Sequence, residues 1–210
     1  MRKSLVGLLV AALIIPTIAA AQTPEQPWLV RTRALYIVPT GSESEVLGAK
    51  VGPDLTFEVD ISRRFGSIFA VELVLATAGH EVYLEDDEGD RLSLGSVNIL
   101  PPSLVLQAHL PTSGKVKPYI GAGVNMTIFY NKTGVLESPA LAGLGTETEL
   151  STSFGYVGQL GVDFAITPRA VFNIDAKYVK LNTDLSVDGT DVDTVDVNPI
   201  LIGVGFGYRF

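Results

Sequence analysis

Apolar and polar residues alternate with a period of two along most of this chain, most clearly at its C-terminus. Apolar side chains occupy every second position there, at Ile200, Ile202, Val204, Phe206, Tyr208 and Phe210. The positions between them, except Leu201, carry the small or polar residues Gly203, Gly205, Gly207 and Arg209. This period is that of an extended strand whose two faces meet different surroundings. A face so uniformly apolar and aromatic on a terminal strand is typical of a strand that contacts lipid in a closed barrel.

The same alternation predicts eight strands, each bounded by Gly, Pro, Asn, Asp or Ser residues. The predicted strands are residues 28–38, 55–65, 67–85, 94–110, 116–130, 151–166, 170–187 and 192–210. Connections after the second, fourth and sixth strands are short, whereas those after the first, third and fifth are longer or more acidic. Bacterial outer-membrane barrels have short periplasmic turns, long outer loops and an even strand number. The predicted fold class is therefore all-β, an eight-stranded antiparallel transmembrane β-barrel with both termini in the periplasm.

The N-terminus predicts export from the cytoplasm. Arg2 and Lys3 precede an apolar run from Leu5 to Ile18, and three alanines ending at Ala21 follow it. This is the pattern of a secretory signal peptide that is cut after Ala21. A membrane-spanning helix is the alternative, but the run is short for a bilayer, and no later segment has about 18 consecutive apolar residues. We therefore expect a signal peptide over residues 1–21 and a multi-pass outer-membrane barrel over residues 22–210.

Charge and composition narrow the possible functions. The formal net charge is -8, which argues against a nucleic-acid partner. The acidic residues concentrate in predicted loops such as 85–90 and 188–196. Because the chain has no cysteine, it needs no disulfide in an oxidising periplasm and has no thiolate chemistry.

Lipid accepts only apolar side chains near the middle of the bilayer, and this determines which positions of each strand face inward. The inward positions near the periplasmic end carry both signs of charge. The interior of an eight-stranded barrel is just filled by side chains, so we predict that these groups pair across the lumen and leave no continuous water path. The predicted polar plug consists of Arg31, Arg33, Glu58, Asp60, Glu72, His109, Asp163, Asp175, Lys177 and Arg209, and Gln107, Asn125, Gln159 and Asn173 share its inward orientation.

Toward the outer loops the inward positions become apolar, which is unusual because a pore for hydrophilic solutes is lined by polar groups. Two interpretations stay open: the side chains form a small dry core, or they line a pocket that admits small hydrophobic molecules from outside. With a plug below, such a molecule would have to leave sideways through the wall. The predicted hydrophobic lumen comprises Leu35, Ile37, Val74, Ala76, Val97, Ile99, Val179, Leu181 and Leu201, with Ala78 at the same parity.

A weak place in the wall is predicted in the fourth strand, at Leu100, Pro101 and Pro102. Proline donates no ladder hydrogen bond, so two in succession break the pairing or force a bulge, and a closed barrel offers them no free edge. A lateral gate and a simple bend of the strand are equally compatible with this pattern. Pro199 interrupts the last strand in a similar way.

Five ordered blocks carry a family resemblance: LPPSLVLQAHL (100–110), KPYIGAGVNMTIFY (117–130), SFGYVGQLGVDF (153–164), FNIDAKYVKLNTD (172–184) and VNPILIGVGFGYRF (197–210). Together with Trp28, Val30, Arg31 and Arg33, they are similar to the outer-membrane protein W family, which includes the alkane-uptake porins. The resemblance implies an eight-stranded barrel with a hydrophobic channel that is blocked toward the periplasm and opens laterally. Phe154 and Ile200 stand where many members carry tryptophan, and Asn198 stands where aspartate is common.

Passive uptake of small hydrophobic molecules is therefore the expected function. The alternative is a structural or receptor protein whose outer loops, residues 135–145 above all, bind phage, bacteriocin or host. We expect no enzyme activity and no cofactor, because neither His80 nor His109 has a serine and carboxylate pattern around it. The acidic run 85–90 lacks EF-hand spacing, so we expect a solvated loop and no metal site, with loose binding of divalent ions as the alternative. Expected partners of this monomer are outer-membrane lipid, lipopolysaccharide, a small hydrophobic substrate, and the barrel-assembly machinery through the strand that ends at Phe210.

Overall fold

The computed structural model describes residues 26–40, 50–85, 90–133, 148–150, 152–180, 182–187, 190–196 and 198–210. The predicted signal peptide, Leu181 and loop 135–145 lie outside these residues. Within the described ranges, no helix is long and apolar enough to cross a membrane. The described strands are β1 (Trp28–Val38), β2 (Lys50–Val51), β3 (Asp54–Phe65), β4 (Phe69–Glu85), β5 (Arg91–Leu100), β6 (Ser103–His109), β7 (Val116–Thr133), β8 (Thr148–Leu150), β9 (Ser153–Ala165), β10 (Ala170–Lys180), β11 (Asn182–Val187), β12 (Thr190–Asp196) and β13 (Ile200–Arg209).

The strands close into an antiparallel ring of eight positions. Around the ring, β1 pairs with β3, then follow β4, the shared position of β5 and β6, β7, β9, β10 and β13, which pairs again with β1. Trp28 and Phe210 complete the closure, because each backbone N–H donates to the other's carbonyl oxygen, at 3.2 and 3.0 Å. The predicted eight-stranded barrel is confirmed.

Some predicted strands are divided in the structure. The fourth consists of β5 and β6, separated by the two prolines, and the last consists of β12 and β13, separated by a segment that contains Asn198 and Pro199. β11 follows β10 and pairs with β12 and β8 in a separate three-stranded sheet. The short strands β2 and β8 were not predicted, since two or three residues are too few for a period to be recognised.

The alternation read from the sequence matches the two surfaces of the barrel. In β13, Leu201 is buried, whereas Phe206 is 60% exposed on the outer face, and Phe210, directly after the strand, is 54% exposed. On β3, Phe57 is 73% exposed outward beside Glu58, which is 1% exposed inward. Apolar side chains in such an outer band contact hydrocarbon, while the closed ladder pairs the backbone groups that lipid cannot hydrate.

Glycines on the inner face make room for the large polar side chains of the interior. A Cβ atom at Gly161 would lie 2.4 Å from the Tyr119 side chain and 2.9 Å from the Cβ of Asp175. A Cβ atom at Gly207 would lie 2.5 Å from Cγ of Arg31. Both contacts are shorter than real side chains tolerate, so the interior is filled only because these positions have no side chain.

We predict that Gly161→Ala destabilises the barrel by about 1–3 kcal/mol, because the added methyl group overpacks the interior. Gly158→Ala is the matched control on the same strand, since a Cβ at Gly158 meets nothing within 4 Å. It should change the free energy of unfolding by less than about 0.5 kcal/mol. Urea unfolding in lipid vesicles measures both variants, and equal stabilities would show that the interior adjusts freely.

Candidate functional site

The lower interior is organised around Arg31 of β1, which is fully buried. Its Nε donates to Asp60 Oδ1 at 3.0 Å, its Nη2 to Glu72 Oε1 at 2.7 Å, and its Nη1 to Asp163 Oδ1 at 3.1 Å. These carboxylates belong to β3, β4 and β9, so one guanidinium connects strands from both sides of the lumen. The planar fork of arginine suits such multiple pairing, which a lysine could not reproduce.

Arg33 and Lys177 extend the network upward. Arg33 Nη2 lies 2.8 Å from Asp60 Oδ2 and donates to Glu72 Oε1 at 2.9 Å, while its Nη1 donates to Glu58. Lys177 Nζ donates to both Glu58 oxygens, at 2.9 and 3.0 Å, and to Asp175 Oδ1 at 3.1 Å. Arg31, Arg33 and Lys177 therefore each face at least two carboxylates, which is the arrangement that a buried charge needs.

Amide side chains add further hydrogen bonds to the network. Gln107 and Gln159 donate to Glu72 Oε2 at 2.7 and 2.9 Å, and Gln159 also donates to Asp175 Oδ2 at 2.7 Å. His109 Nε2 lies 3.3 Å from Gln107 Oε1. At the lower edge Arg209 Nη2 lies 3.7 Å from Asp163 Oδ2.

All ten predicted plug residues thus belong to one connected network, although their role in blocking the lumen stays a prediction. Sequence reasoning missed Tyr119, whose ring lies 5.6 Å from Arg31 Cζ and whose hydroxyl accepts from Asn173 Nδ2 at 3.1 Å. Its inward parity on β7 was the available signal. An aromatic residue among apolar neighbours did not suggest a polar contact.

Above the network the interior is apolar. Most of the predicted lumen residues form one buried cluster, and Ile99 packs against it. Val97 is also buried, at 6% exposure. Val105 and Val157 belong to the cluster but were not predicted, although they share the inward parity of Gln107 and Gln159. The cluster consists of Leu35, Ile37, Val74, Ala76, Ala78, Val105, Val157, Val179 and Leu201.

The proline segment interrupts the wall without shifting it. Ala78 pairs with Ile99 and Val74 with Ser103, so the same number of residues separates the pairs on both strands. The register therefore continues across Pro101 and Pro102. The sequence predicted either a break in the strand pairing or a bulge, and the structure has the break. Neither proline can donate, so the ladder loses a donor on each side of the segment.

One buried amide lies at this gap, and its location corrects an expectation. Asn125 was grouped with the polar residues near the periplasmic end, but it contacts Pro101, Pro102, Ser103 and Thr127 instead. It lies across the ladder from Ser103, which is itself opposite Val74 of the apolar cluster. Parity identified its inward orientation but could not give its height in the barrel.

The two histidines lie in different surroundings. His109 belongs to the lower network, whereas His80 is buried higher on β4, with Nδ1 3.0 Å from the carbonyl oxygen of Gly52.

Known proteins that resemble this chain are outer-membrane proteins. The OmpW family profile matches residues 27–210. Outer membrane protein W of Escherichia coli (strain K12) is 28% identical, over 97% of this chain and 99% of that protein. Outer membrane protein AlkL of Ectopseudomonas oleovorans is 26% identical, over 76% of this chain and 68% of its own. The crystal structure of the outer membrane protein OprG from Pseudomonas aeruginosa superposes with a TM-score of 0.72 at 26% identity, covering 88% of this chain and 96% of that one.

Removing Glu72 should destabilise the barrel strongly. Glu72→Ala leaves Arg31 and Arg33 buried with fewer counter-charges, and breaking such a buried network costs about 3–5 kcal/mol. Glu81→Ala, an exposed position on the same strand, should cost less than about 0.5 kcal/mol. The measurement is the free energy of unfolding in vesicles. A loss at Glu72 no larger than that at Glu81 would mean that the network contributes little to stability.

Proposed function

Because this chain belongs to the OmpW family of outer-membrane β-barrel proteins, we propose that it is a passive channel for small hydrophobic molecules. Such molecules enter from the outer surface, occupy the apolar upper interior and leave sideways into the membrane. The family places the chain in the bacterial outer membrane. The route through the barrel is our inference from the arrangement of its interior.

The division of the interior into two layers carries the proposal. Val74, Ala76 and Ala78 of β4 lie in the apolar cluster, while Glu72 of the same strand lies in the ion network. A hydrophilic solute would find few hydrogen-bonding partners among the side chains of the apolar cluster, whereas an apolar molecule exchanges one hydrocarbon contact for another. Ala76 and Ala78 have the smallest side chains of the cluster, so a molecule that enters beside them displaces the least side-chain volume.

The ion network favours a lateral exit over a straight one. An apolar molecule that crossed it would separate Arg31, Arg33 and Lys177 from carboxylates without supplying any replacement. Separating buried ion pairs costs several kcal/mol each. The proline segment lies beside the apolar cluster, and there the wall already lacks two ladder donors.

The partners follow from this route. Lipopolysaccharide and phospholipid surround the apolar outer face, and a hydrophobic substrate would pass from the cluster into that lipid. Phe210 directly follows the C-terminal strand β13; it is exposed outward, and its backbone pairs with that of Trp28 where the ring closes. We propose that the barrel-assembly machinery recognises this strand and that the barrel acts as a monomer.

A charge in the upper layer should block uptake. Val74→Asp places an unpaired carboxylate among apolar side chains, so we expect uptake of a labelled medium-chain alkane to fall at least about tenfold, the effect of 1.4 kcal/mol. Initial uptake rates are measured in cells whose outer membrane has no other such channel.

Val74→Ile is the matched control, because it keeps the site apolar and should retain most of the uptake. Folding of both variants is checked by the heat-dependent shift of the barrel on electrophoresis. A folded Val74→Asp protein with unchanged uptake would reject the upper layer as the route.

A covalent bridge across the proline segment should close the lateral exit. Since the natural chain has no cysteine, the pair Thr77→Cys and Leu100→Cys would form a single disulfide one position beyond the Ala78–Ile99 pair. We expect uptake to fall on oxidation and to recover on reduction. The matched control joins Val71 and Leu106, an outward pair in the uninterrupted ladder. Equal uptake by the oxidised and reduced forms of the Thr77–Leu100 variant would exclude an exit at the proline segment.

A further inference from the structure

We propose that Asn125 is the latch that holds the Pro101–Pro102 segment in the barrel wall and so sets how readily the lateral exit opens. This inference rests on the proposed function, which supplies the reason for an exit. The latch itself can be tested without any substrate. Asn125 acts through the proline segment, so it is a positioning residue.

The amide of Asn125 contacts three polar groups at the proline segment. Its Nδ2 donates to Ser103 Oγ at 2.8 Å, to the carbonyl oxygen of Pro101 at 3.2 Å and to that of Pro102 at 3.3 Å. Ser103 Oγ also donates to the Pro101 carbonyl, at 3.3 Å. Asn125 is 2% exposed, so water does not compete for these bonds.

A neighbouring hydroxyl fixes the orientation of this amide. Thr127 Oγ1 donates to Asn125 Oδ1 at 2.8 Å, which directs the Nδ2 group toward the prolines. Thr127 is fully buried and lies on the same face of β7, two residues along. An amide in this position can donate two hydrogens, and the three acceptors at the gap share them.

The backbone holds the proline segment only weakly. On the β7 side, the Met126 N–H donates to the Pro102 carbonyl at 3.0 Å, but Pro102 cannot return the bond. The Pro101 carbonyl accepts from the side chains of Asn125 of β7 and Ser103 of β6, inside the barrel. Side-chain hydrogen bonds from Asn125 therefore replace part of the ladder at this place.

A second bond crosses the same region on the outer face. The Thr77 hydroxyl of β4 bonds the Tyr130 hydroxyl of β7, so that it passes over β5, which lies between these strands. Tyr130 is opposite Asn98, and Thr77 lies one residue from the Ala78–Ile99 pair. The wall is thus tied on both faces beside the prolines, and only the inner tie reaches the proline carbonyls.

These contacts make the latch specific for opening. If the segment leaves the wall, the proline carbonyls and the Asn125 amide lose their partners, and an apolar substrate replaces none of them. Loss of the amide should therefore raise the frequency of opening, not merely weaken the barrel as a whole.

Amide hydrogen exchange of the full barrel in lipid nanodiscs tests the latch. In Asn125→Leu, the protection factor of the Met126 amide should fall about three- to tenfold, the effect of one net buried hydrogen bond. The His109 amide, which donates to the Ile68 carbonyl at the periplasmic turn, should not change. Thr127→Val, which only frees the amide to rotate, should give a smaller fall at Met126.

Asn173→Leu is the matched control, because Asn173 is also a buried inward amide but its bonds go to Tyr119, Asp163 and the Val162 carbonyl. It should leave Met126 protection unchanged. Unchanged protection of Met126 in both Asn125→Leu and Thr127→Val, or an equal loss at Met126 and His109, would overturn the latch.

Uptake separates this inference from the proposed function. If the natural protein takes up the alkane, Asn125→Leu should raise the initial rate, and a rate that stays equal or falls while the barrel remains folded would overturn the gating role. If the natural protein shows no uptake but Met126 protection falls as expected, the channel is rejected while the latch on the proline segment is supported.

Discussion

Hydrocarbon cannot hydrate a peptide group, and the rest of this structure follows from that constraint. A strand inside the membrane needs partners on both sides, so the sheet must close, and here β13 returns to β1 over ten consecutive residue pairs. Closure determines which side chains face lipid and which face the interior. The apolar outer face, the ion network and the upper cluster are consequences of one alternating pattern on a ring that has no edge.

The interior meets a second requirement, because eight strands enclose only enough space for side chains. Arg31 crosses this space and reaches β3, β4 and β9, and Gly161 and Gly207 leave room for the groups around it. The glycines and the charges therefore depend on each other: a larger residue on the inner face would displace the ligands of a buried cation. Breaking a buried ion network is strongly unfavourable, so the charges of the lower layer hold one another in place.

Much of this arrangement could be predicted from the sequence, since a period of two combined with a lipid boundary determines orientation. Arg31, Glu72 and Lys177 were identified as inward and polar, and the prolines as an interruption of the wall. The pattern could not give height along the barrel axis, because parity is the same at every level. Asn125 was therefore assigned to the wrong layer. Nor could it show that the register continues through Pro101 and Pro102, which depends on pairing with two other strands.

For the proposed channel, the energies of these interactions rank the two possible exits from the upper cluster. Passage downward separates several ion pairs, each worth several kcal/mol when buried. Displacement of the proline segment breaks neutral hydrogen bonds, chiefly those of Asn125 and the single Met126 bond, at about 0.5–1.5 kcal/mol each. On the route that we propose, the lateral path therefore has the lower barrier even though its bonds are buried. In the proposed mechanism Asn125 closes this path beside the apolar cluster: it donates to both proline carbonyls, and its hydrogen bonds break before the ion network does.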